Sequence, residues 1–232
     1  MKAMILAAGL GTRLKPITDT IPKALVEING KTLLEHSIIH LKMYGVKEAI
    51  VNVHHFPDQI IDFLKKKKNF GMKIEVSDER DELLDTGGGL KKASWFFEGG
   101  GPFVVRNVDV LSDMDLEAML NFHKKHRPLA TLAVRNRETS RYLLFNERSE
   151  LIGWTNISSG EKKLSRKDFR RMHPLAFSGI QILNPSIIPL VTEVGSFSLI
   201  TMYLRLCRDR RISAFTDNDS FWFDAGKRED NS

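Results

Sequence analysis

Arg13 and Lys23 stand ten residues apart, directly after the short glycine loop Gly9-Leu10-Gly11. An arginine at such a place can fork across phosphate oxygens, and a lysine supplies a mobile point charge near a phosphorus under attack. Pro22 fixes the backbone immediately before Lys23 and helps to aim it. The run Ala7-Ala8-Gly9-Leu10-Gly11-Thr12 lets the chain bend sharply and approach a ligand without a side chain in the way. Backbone N–H groups in such a turn point together and cradle an anion. The glycine spacing matches neither a dinucleotide fingerprint, which needs a third glycine, nor a P-loop, which ends in Gly-Lys-Ser/Thr. Two glycines alone also suit a plain strand-to-helix turn, and two surface cations beside a loop are the competing account of Arg13 and Lys23.

Two carboxylates extend the phosphate chemistry. Asp109 sits just past the apolar strand PFVVRN, and Asp224 ends Phe221 to Phe223. Open α/β sheets bind ligands at the carboxyl ends of their strands. A pair of strand-end aspartates can hold Mg²⁺, which takes oxygen ligands and keeps waters and substrate phosphates. Asp113, Asp115 and Asp219 are alternatives, and Asp115 also suits a helix cap. A second glycine turn, Asp85 to Gly89, leads toward a helix and marks either a flat base packed on the backbone or a flexible loop. His54 and His55, adjacent in an extended stretch, face opposite ways and do not make a metal pair. Cys207 reads as an inert thiol in an amphipathic run, and the aromatics, Trp222 among them, read as packing.

The elements that must position these groups alternate. Met1 to Ala7 predicts a buried strand, Thr32 to Met43 a helix, Glu48 to Val53 a strand, PDQIIDFLKKKK a helix and MKIEVS a strand. A helix is predicted over Leu90 to Phe97, a strand over PFVVRN, a helix over Asp115 to His126 and a strand over LATLAVR. This rhythm predicts a mostly parallel sheet covered on both faces. Arg141 to Gln181 reads as short strands, RYLLFN, LIGWTN and LAFSGIQI, separated by polar turns that include a basic stretch from Glu161 to Arg171. A helix over Ser198 to Arg208, a strand over Ile212 to Phe215 and FWFDAG close the chain. We expect one domain over residues 1–232, with residues 1–135 forming the nucleotide-binding part and 136–232 the opposite wall of a cleft.

With 232 residues, 42% hydrophobic and 28% charged, the chain reads as an ordinary globule. No apolar run approaches the ~20 residues of a bilayer span, and the first residues are too short an apolar stretch for a signal peptide, so the expectation is a cytoplasmic protein. A single cysteine excludes an internal disulfide. The net charge of +6 attracts anions generally; without zinc-finger spacing or an RNP-like strand, nucleotides rather than nucleic acid are the expected partners. A monomer and a homodimer both remain open.

Read together, LAAGLGTRLKPITDTIPKAL resembles the opening motif of the sugar-1-phosphate nucleotidyltransferases, and the similarity extends through FWFDAGKRE. LLDTGGGLKKA, PFVVRNVDV and AFSGIQILNP look most like the short bacterial enzymes that activate N-acetylmuramate 1-phosphate with UTP, with mannose-1-phosphate guanylyltransferases close. The resemblance implies an α/β, Rossmann-like three-layer fold with a mixed, mostly parallel central sheet. It implies that Ala8, Gly9, Gly11, Thr12 and Arg13 wrap a nucleoside triphosphate, that Arg13 stabilises departing pyrophosphate, and that Lys23 neutralises charge at the α-phosphorus. Asp109 and Asp224 match the two family aspartates that hold catalytic Mg²⁺, and Gly88 the region beside the base. Lys162, in GEKK, matches a sugar-phosphate lysine, and Gly179 lies on the strand lining the sugar side. Val108 departs from the family's small residue and is expected to crowd the metal or nucleoside. Lys227 stands where the family has threonine.

The implied reaction is a direct in-line attack of a sugar 1-phosphate oxygen on the α-phosphorus of an NTP, with release of pyrophosphate and no covalent enzyme intermediate. A non-catalytic nucleotide-sugar sensor using the same cleft is the alternative from a different class.

Overall fold

The computed structural model describes residues 1–167 and 169–226. In chain order its elements are β1 (Lys2–Leu6), β2 (Glu27–Ile28), β3 (Lys31–Thr32), α1 (Leu33–Met43), β4 (Glu48–Val53), α2 (Pro57–Lys66) and β5 (Lys73–Asp78). There follow α3 (Asp85–Lys92), β6 (Phe103–Asn107), β7 (Val110–Ser112), α4 (Leu116–His126), β8 (Ala130–Arg135), β9 (Arg141–Phe145) and β10 (Leu151–Asn156). The chain continues through β11 (Glu161–Leu164), β12 (His173–Leu183), α5 (Leu199–Leu206), β13 (Ile212–Thr216) and β14 (Trp222–Asp224).

β1 carries the fold's logic. It pairs in parallel with β4 on one side and β6 on the other, so both of its edges are hydrogen-bonded. Ala3, Ile5 and Ala7 join one core with Leu34 and Ile38 of α1, Ile60 of α2 and Met119 of α4. Met4 and Leu6 alternate into a second core with Leu90 of α3 and Met202 and Leu206 of α5. A strand buried on both faces reads as a continuous apolar run because period-2 alternation sends its residues into two layers. Full burial of each large aliphatic contributes about 1.5–3 kcal/mol.

The main sheet has ten strands, in the order β11-β10-β9-β12-β6-β1-β4-β5, with β8 and β13 branching from β12. Parallel pairing joins β1, β4, β5 and β6, whereas β12 lies antiparallel to β6. This is the mixed, mostly parallel three-layer arrangement expected. β14 and β7 form a separate two-stranded antiparallel ribbon.

Three local expectations are corrected. Gly87, Gly88 and Gly89 lie inside α3 and are not a turn ahead of it; the helix ends at Lys92, and a 3-10 turn, Ser94–Phe97, takes up the rest of the predicted helix. The Gly87 and Gly88 N–H groups donate to the Phe197 carbonyl at 2.8 and 3.3 Å, while Thr86 Oγ1 accepts from Leu199 N at 3.0 Å. The starts of α3 and α5 thus satisfy each other's free backbone groups. Second, the basic stretch from Glu161 opens with strand β11, paired in register with β10. Third, β12 runs eleven residues from His173, longer than its apolar core suggests, because its first residues pair with β9 and its last with β6.

Candidate active site

The loop after β1 is built around Gly11, whose φ of +66° is a left-handed conformation that glycine adopts at no steric cost. A Cβ there would stand 2.8 Å from Thr18 Cγ2 and 3.0 Å from Lys23 Cβ, so the glycine lets the loop close onto the segment that carries Lys23. Thr18, 1% exposed, donates through Oγ1 to the Gly11 carbonyl at 2.8 Å and pins the turn. At Gly9 no atom lies within 4 Å of where a Cβ would be: the space belongs to the cleft. Ala8, Gly9, Lys23 and Asp109 line a cavity of about 380 Å³ together with Asn52 and Asn107.

Lys23 Nζ forms an ion pair with Asp109 Oδ2, two side chains only 11% and 16% exposed. Asp109 is brought there by the backbone step out of β6, and Val108 N donates to Leu6 O at 3.1 Å, which keeps the step beside the end of β1. Asp224 arrives from the facing ribbon strand, paired with Val110. The two aspartates and the lysine surround Gly226. A Cβ on Gly226 would lie 2.5 Å from Lys23 Nζ, 2.7 Å from Asp109 Oδ2 and 3.1 Å from Asp224 Oδ1. Two carboxylates that turn Oδ2 of Asp109 and Oδ1 of Asp224 toward one point suit a hard cation completed by phosphate and water oxygens. Among the described residues no cluster of three or more acidic, histidine or cysteine side chains could hold a metal by itself.

A second cavity, about 810 Å³, opens on the other side of the carboxylates. Asp224 borders it with Arg13, Arg137, Arg141 and Lys163, and Trp154 and Tyr142 supply aromatic surface. The Arg137 guanidinium lies 4.3 Å from the Trp222 ring centroid, and its Nη2 donates to Phe177 O at 3.2 Å. Burial lowers the Arg137 pKa, while the Asp224 charge acts in the opposite sense. Trp222 is fixed in turn by its Nε1–H, which donates to Ser178 O at 2.9 Å.

The structure therefore gathers Ala8, Gly9, Lys23 and Asp109 on one side of Gly226, and Arg13 and Asp224 on the other. Gly11 and Thr12 support the turn and line neither cavity. Gly88 does not line the first cavity either: it is buried, and a Cβ on it would meet Gly195 O at 2.6 Å. Asp85 and Thr86 border the cavity at that end. Lys162 faces a neighbouring depression with Arg205 and Arg208, and Lys163 is the β11 lysine that reaches the cleft. Gly179, with φ +76°, is buried in β12, where a Cβ would lie 2.7 Å from Val110 Cγ2; it gives room to the ribbon and borders neither cavity.

Val108, expected to crowd the metal or nucleoside, is 3% exposed and joins the core beneath the loop, and it borders the first cavity without closing it. Lys227 lies outside the described residues. Asp115 caps α4, its Oδ1 accepting from Glu117 N and Ala118 N, and Asp113 accepts from Phe221 N at 2.8 Å. His54 and His55 bond to the carbonyls of Glu79 and Thr18. Cys207 is buried, and burial raises its thiol pKa.

Sequence reasoning missed Asn52, Asn107, Arg137 and Lys163. Arg137 carried a usable signal, since it lies just past the end of β8, where sheets of this kind place ligand-binding groups. Lys163 required the β10–β11 register, which sets it opposite Trp154.

Residues 2–148 match the family model described as nucleotidyl transferase. The N-acetylmuramate alpha-1-phosphate uridylyltransferase of Caulobacter vibrioides is 33% identical over 97% of this chain and 91% of its own length. The mannose-1-phosphate guanyltransferase of Aspergillus oryzae is 32% identical over 99% of this chain, which spans 62% of that longer protein. Among solved structures, HddC from Yersinia pseudotuberculosis, complexed with GMP-PN, superposes with a TM-score of 0.76 at 25% identity, over 98% of this chain and 95% of its own. With a glycine loop, a lysine and two strand-end aspartates converging on one cleft, and with these similarities along its length, the chain belongs to the nucleotidyl transferase family, among the sugar-1-phosphate nucleotidyltransferases.

Proposed function

We propose that this protein transfers the uridylyl group of UTP to N-acetylmuramate 1-phosphate, releasing pyrophosphate. The observation that carries the reading is the charge of the second cavity. Arg13, Arg137, Arg141 and Lys163 line it, and Asp224 is the one acidic residue among its lining residues. A neutral hexose phosphate offers a single anionic group to such a wall, whereas N-acetylmuramate 1-phosphate brings a carboxylate as well. The near full-length match to the Caulobacter vibrioides enzyme supports the same choice.

In this reading the nucleotide occupies the cavity at Ala8 and Gly9, and the sugar phosphate enters from the side of Arg137. Asp109 and Asp224 would hold Mg²⁺ at Gly226, and the bound ion would offset phosphate charge and orient the triphosphate. Lys23 balances the negative charge gathering at the α-phosphorus, and Arg13, which lines the second cavity, adds its charge on the side from which the sugar phosphate enters. The sugar phosphate oxygen is already ionised, so none of these residues has to remove a proton.

Guanylyl transfer to mannose 1-phosphate is the second reading, favoured by the similarity to the Aspergillus oryzae enzyme. Pyrophosphate release from UTP, GTP, CTP and dTTP with a panel of sugar 1-phosphates tests both. The highest kcat/KM is expected for UTP with N-acetylmuramate 1-phosphate. Turnover confined to GTP and mannose 1-phosphate would replace the first reading by the second, and nucleotide binding without pyrophosphate release would make the protein a sensor.

A further inference from the structure

The ribbon of β7 and β14 carries Asp224 and directly follows Asp109, yet two paired strands are marginally stable alone. Packing does not fully secure it, because a cavity of about 480 Å³ opens behind it, bordered by Leu111, Phe221 and Phe223. Hydrogen bonds from two buried side chains take over that task. Arg106, on β6 and 1% exposed, donates from Nη2 to the Val110 carbonyl at 2.6 Å. Its Nη1 lies 2.7 Å from His40 Nδ1. His40, on α1 and 7% exposed, has Nε2 at 3.0 Å from the Met114 carbonyl.

The roles in this chain are fixed by chemistry. A guanidinium only donates and a carbonyl only accepts, so His40 Nδ1 must accept from Arg106 while Nε2 carries the hydrogen given to Met114. His40 is thereby a neutral Nε2–H tautomer. Burial, and then the Arg106 charge, push its pKa down to about 4. Arg106 makes no direct salt bridge among the described residues, and its Nε has no partner. A buried cation without a paired carboxylate is costly; the nearby Asp109 charge offsets part of that cost, and of its two bonds one goes to the Val110 carbonyl and the other to His40. Ser37 of α1 adds a third tie, its Oγ donating to the Val108 carbonyl at 3.4 Å. The backbone is therefore held at 108, 110 and 114, on both sides of Asp109.

We propose that Arg106 and His40 are positioning residues for the divalent-cation site, tying the Asp109 step and the β7–β14 ribbon to β6 and α1 so that Asp109 and Asp224 stay in register around Gly226. This rests on the reading that those two aspartates hold the cation. Outer groups that orient metal ligands typically change metal affinity by about 10- to 100-fold.

Mn²⁺ binding to the full-length protein, followed by electron paramagnetic resonance without any substrate, is the test. Arg106→Met and His40→Leu should each weaken Mn²⁺ about tenfold or more, and the double variant should be little worse than either single one, since both cut one chain. His123→Leu serves as the control: His123 is equally buried, and its Nδ1 lies 2.8 Å from Thr131 Oγ1, a residue of β8. This substitution should lower Tm and leave Mn²⁺ affinity unchanged. Unaltered Mn²⁺ affinity in folded Arg106→Met, or equal weakening in the control, would overturn the positioning role. Wild-type protein that binds no Mn²⁺, or binding indifferent to Asp109→Asn, would instead overturn the underlying metal-site reading. Should the Arg106 and His40 variants not fold, nitrogen-15 NMR of the wild-type protein decides: an Nδ1–H tautomer at His40 would exclude the hydrogen-bond chain.

Discussion

Asp109 and Asp224, 115 positions apart in the sequence, are joined through the backbone: Ala225 N–H donates to the Asp109 carbonyl at 2.9 Å while Asp224 pairs with Val110. Each aspartate thus fixes the place of the other, and Gly226, without a side chain, lets both carboxylates and Lys23 come close to one point. Asp109→Asn and Asp224→Asn should each lower kcat/KM by roughly 10²–10³-fold. Because the pair acts as a unit, the double variant should lose far less than the product of the single losses. Steady-state pyrophosphate release checks this, and full additivity would show that the two carboxylates work separately.

Gly226→Ala should abolish activity without unfolding the protein. The new methyl group would be driven against Lys23, Asp109 and Asp224, with the nearest of their atoms at 2.5 Å. It would fill the cradle rather than disturb the core. Thermal denaturation should give a Tm close to that of the wild type. A variant retaining more than a tenth of wild-type turnover would show that the cradle is not where the chemistry occurs.

Lys23→Ala should lower kcat more than nucleotide affinity, by about 10²-fold, because its charge matters most when negative charge builds at the α-phosphorus. It also releases Asp109 from its ion-pair partner. Single-turnover rates set beside nucleotide Kd values separate the two effects. A matching loss in Kd with unchanged rate would make Lys23 a binding residue only.

Gly87→Ala tests the revised account of the triple glycine. In an open helix the change would stabilise by about 1 kcal/mol. Here the added methyl would run into the Phe197 ring, with the Phe197 carbonyl 2.8 Å away. The expected net result is a loss of about 1–3 kcal/mol, read from urea denaturation. A more stable variant would show that α3 and the Phe197 segment are free to separate.

Glu79 gives a pH-dependent prediction. It is fully buried, its Oε1 accepts from Asn52 Nδ2 at 2.8 Å, and its Oε2 has no partner. Burial raises its pKa above the ordinary 4.5. The folded protein therefore binds this proton more tightly than the unfolded chain, so stability falls as pH rises from the ordinary value through the raised one. Glu79→Gln, which keeps an acceptor for Asn52, should flatten that fall. Above the raised pKa its Tm should exceed that of the wild type by about 2–4 °C for each kcal/mol recovered, while at pH 4 the two should coincide. Parallel Tm profiles would exclude Glu79 as the source.

The sequence made the β1 loop legible because local rules suffice there: an apolar strand, a turn that needs glycine, and a proline before Lys23. The same holds for α1, with Thr32 Oγ1 accepting from Glu35 N at 3.1 Å, and for α4 behind Asp115. It misled at Gly87 to Gly89, where low intrinsic helix propensity argued for a turn. Tertiary contact overrode propensity: α3 must approach Phe197 and Gly195 so closely that only glycine fits. Lys162 and Lys163 could not be separated from sequence, because alternation on a strand shows that neighbours diverge but not which one faces the cleft.

By itself the sequence determined a doubly covered sheet and a family of reactions, since both follow from patterns within about twenty residues. Only the tertiary structure decided that Asp109, Asp224 and Lys23 meet at Gly226, that Arg137 and Lys163 rather than Lys162 charge the second cavity, and that Arg106 and His40 hold the ribbon from behind. Those relations depend on strand register and on which buried groups find partners. Residues far apart in the chain become neighbours only once the sheet has set them side by side.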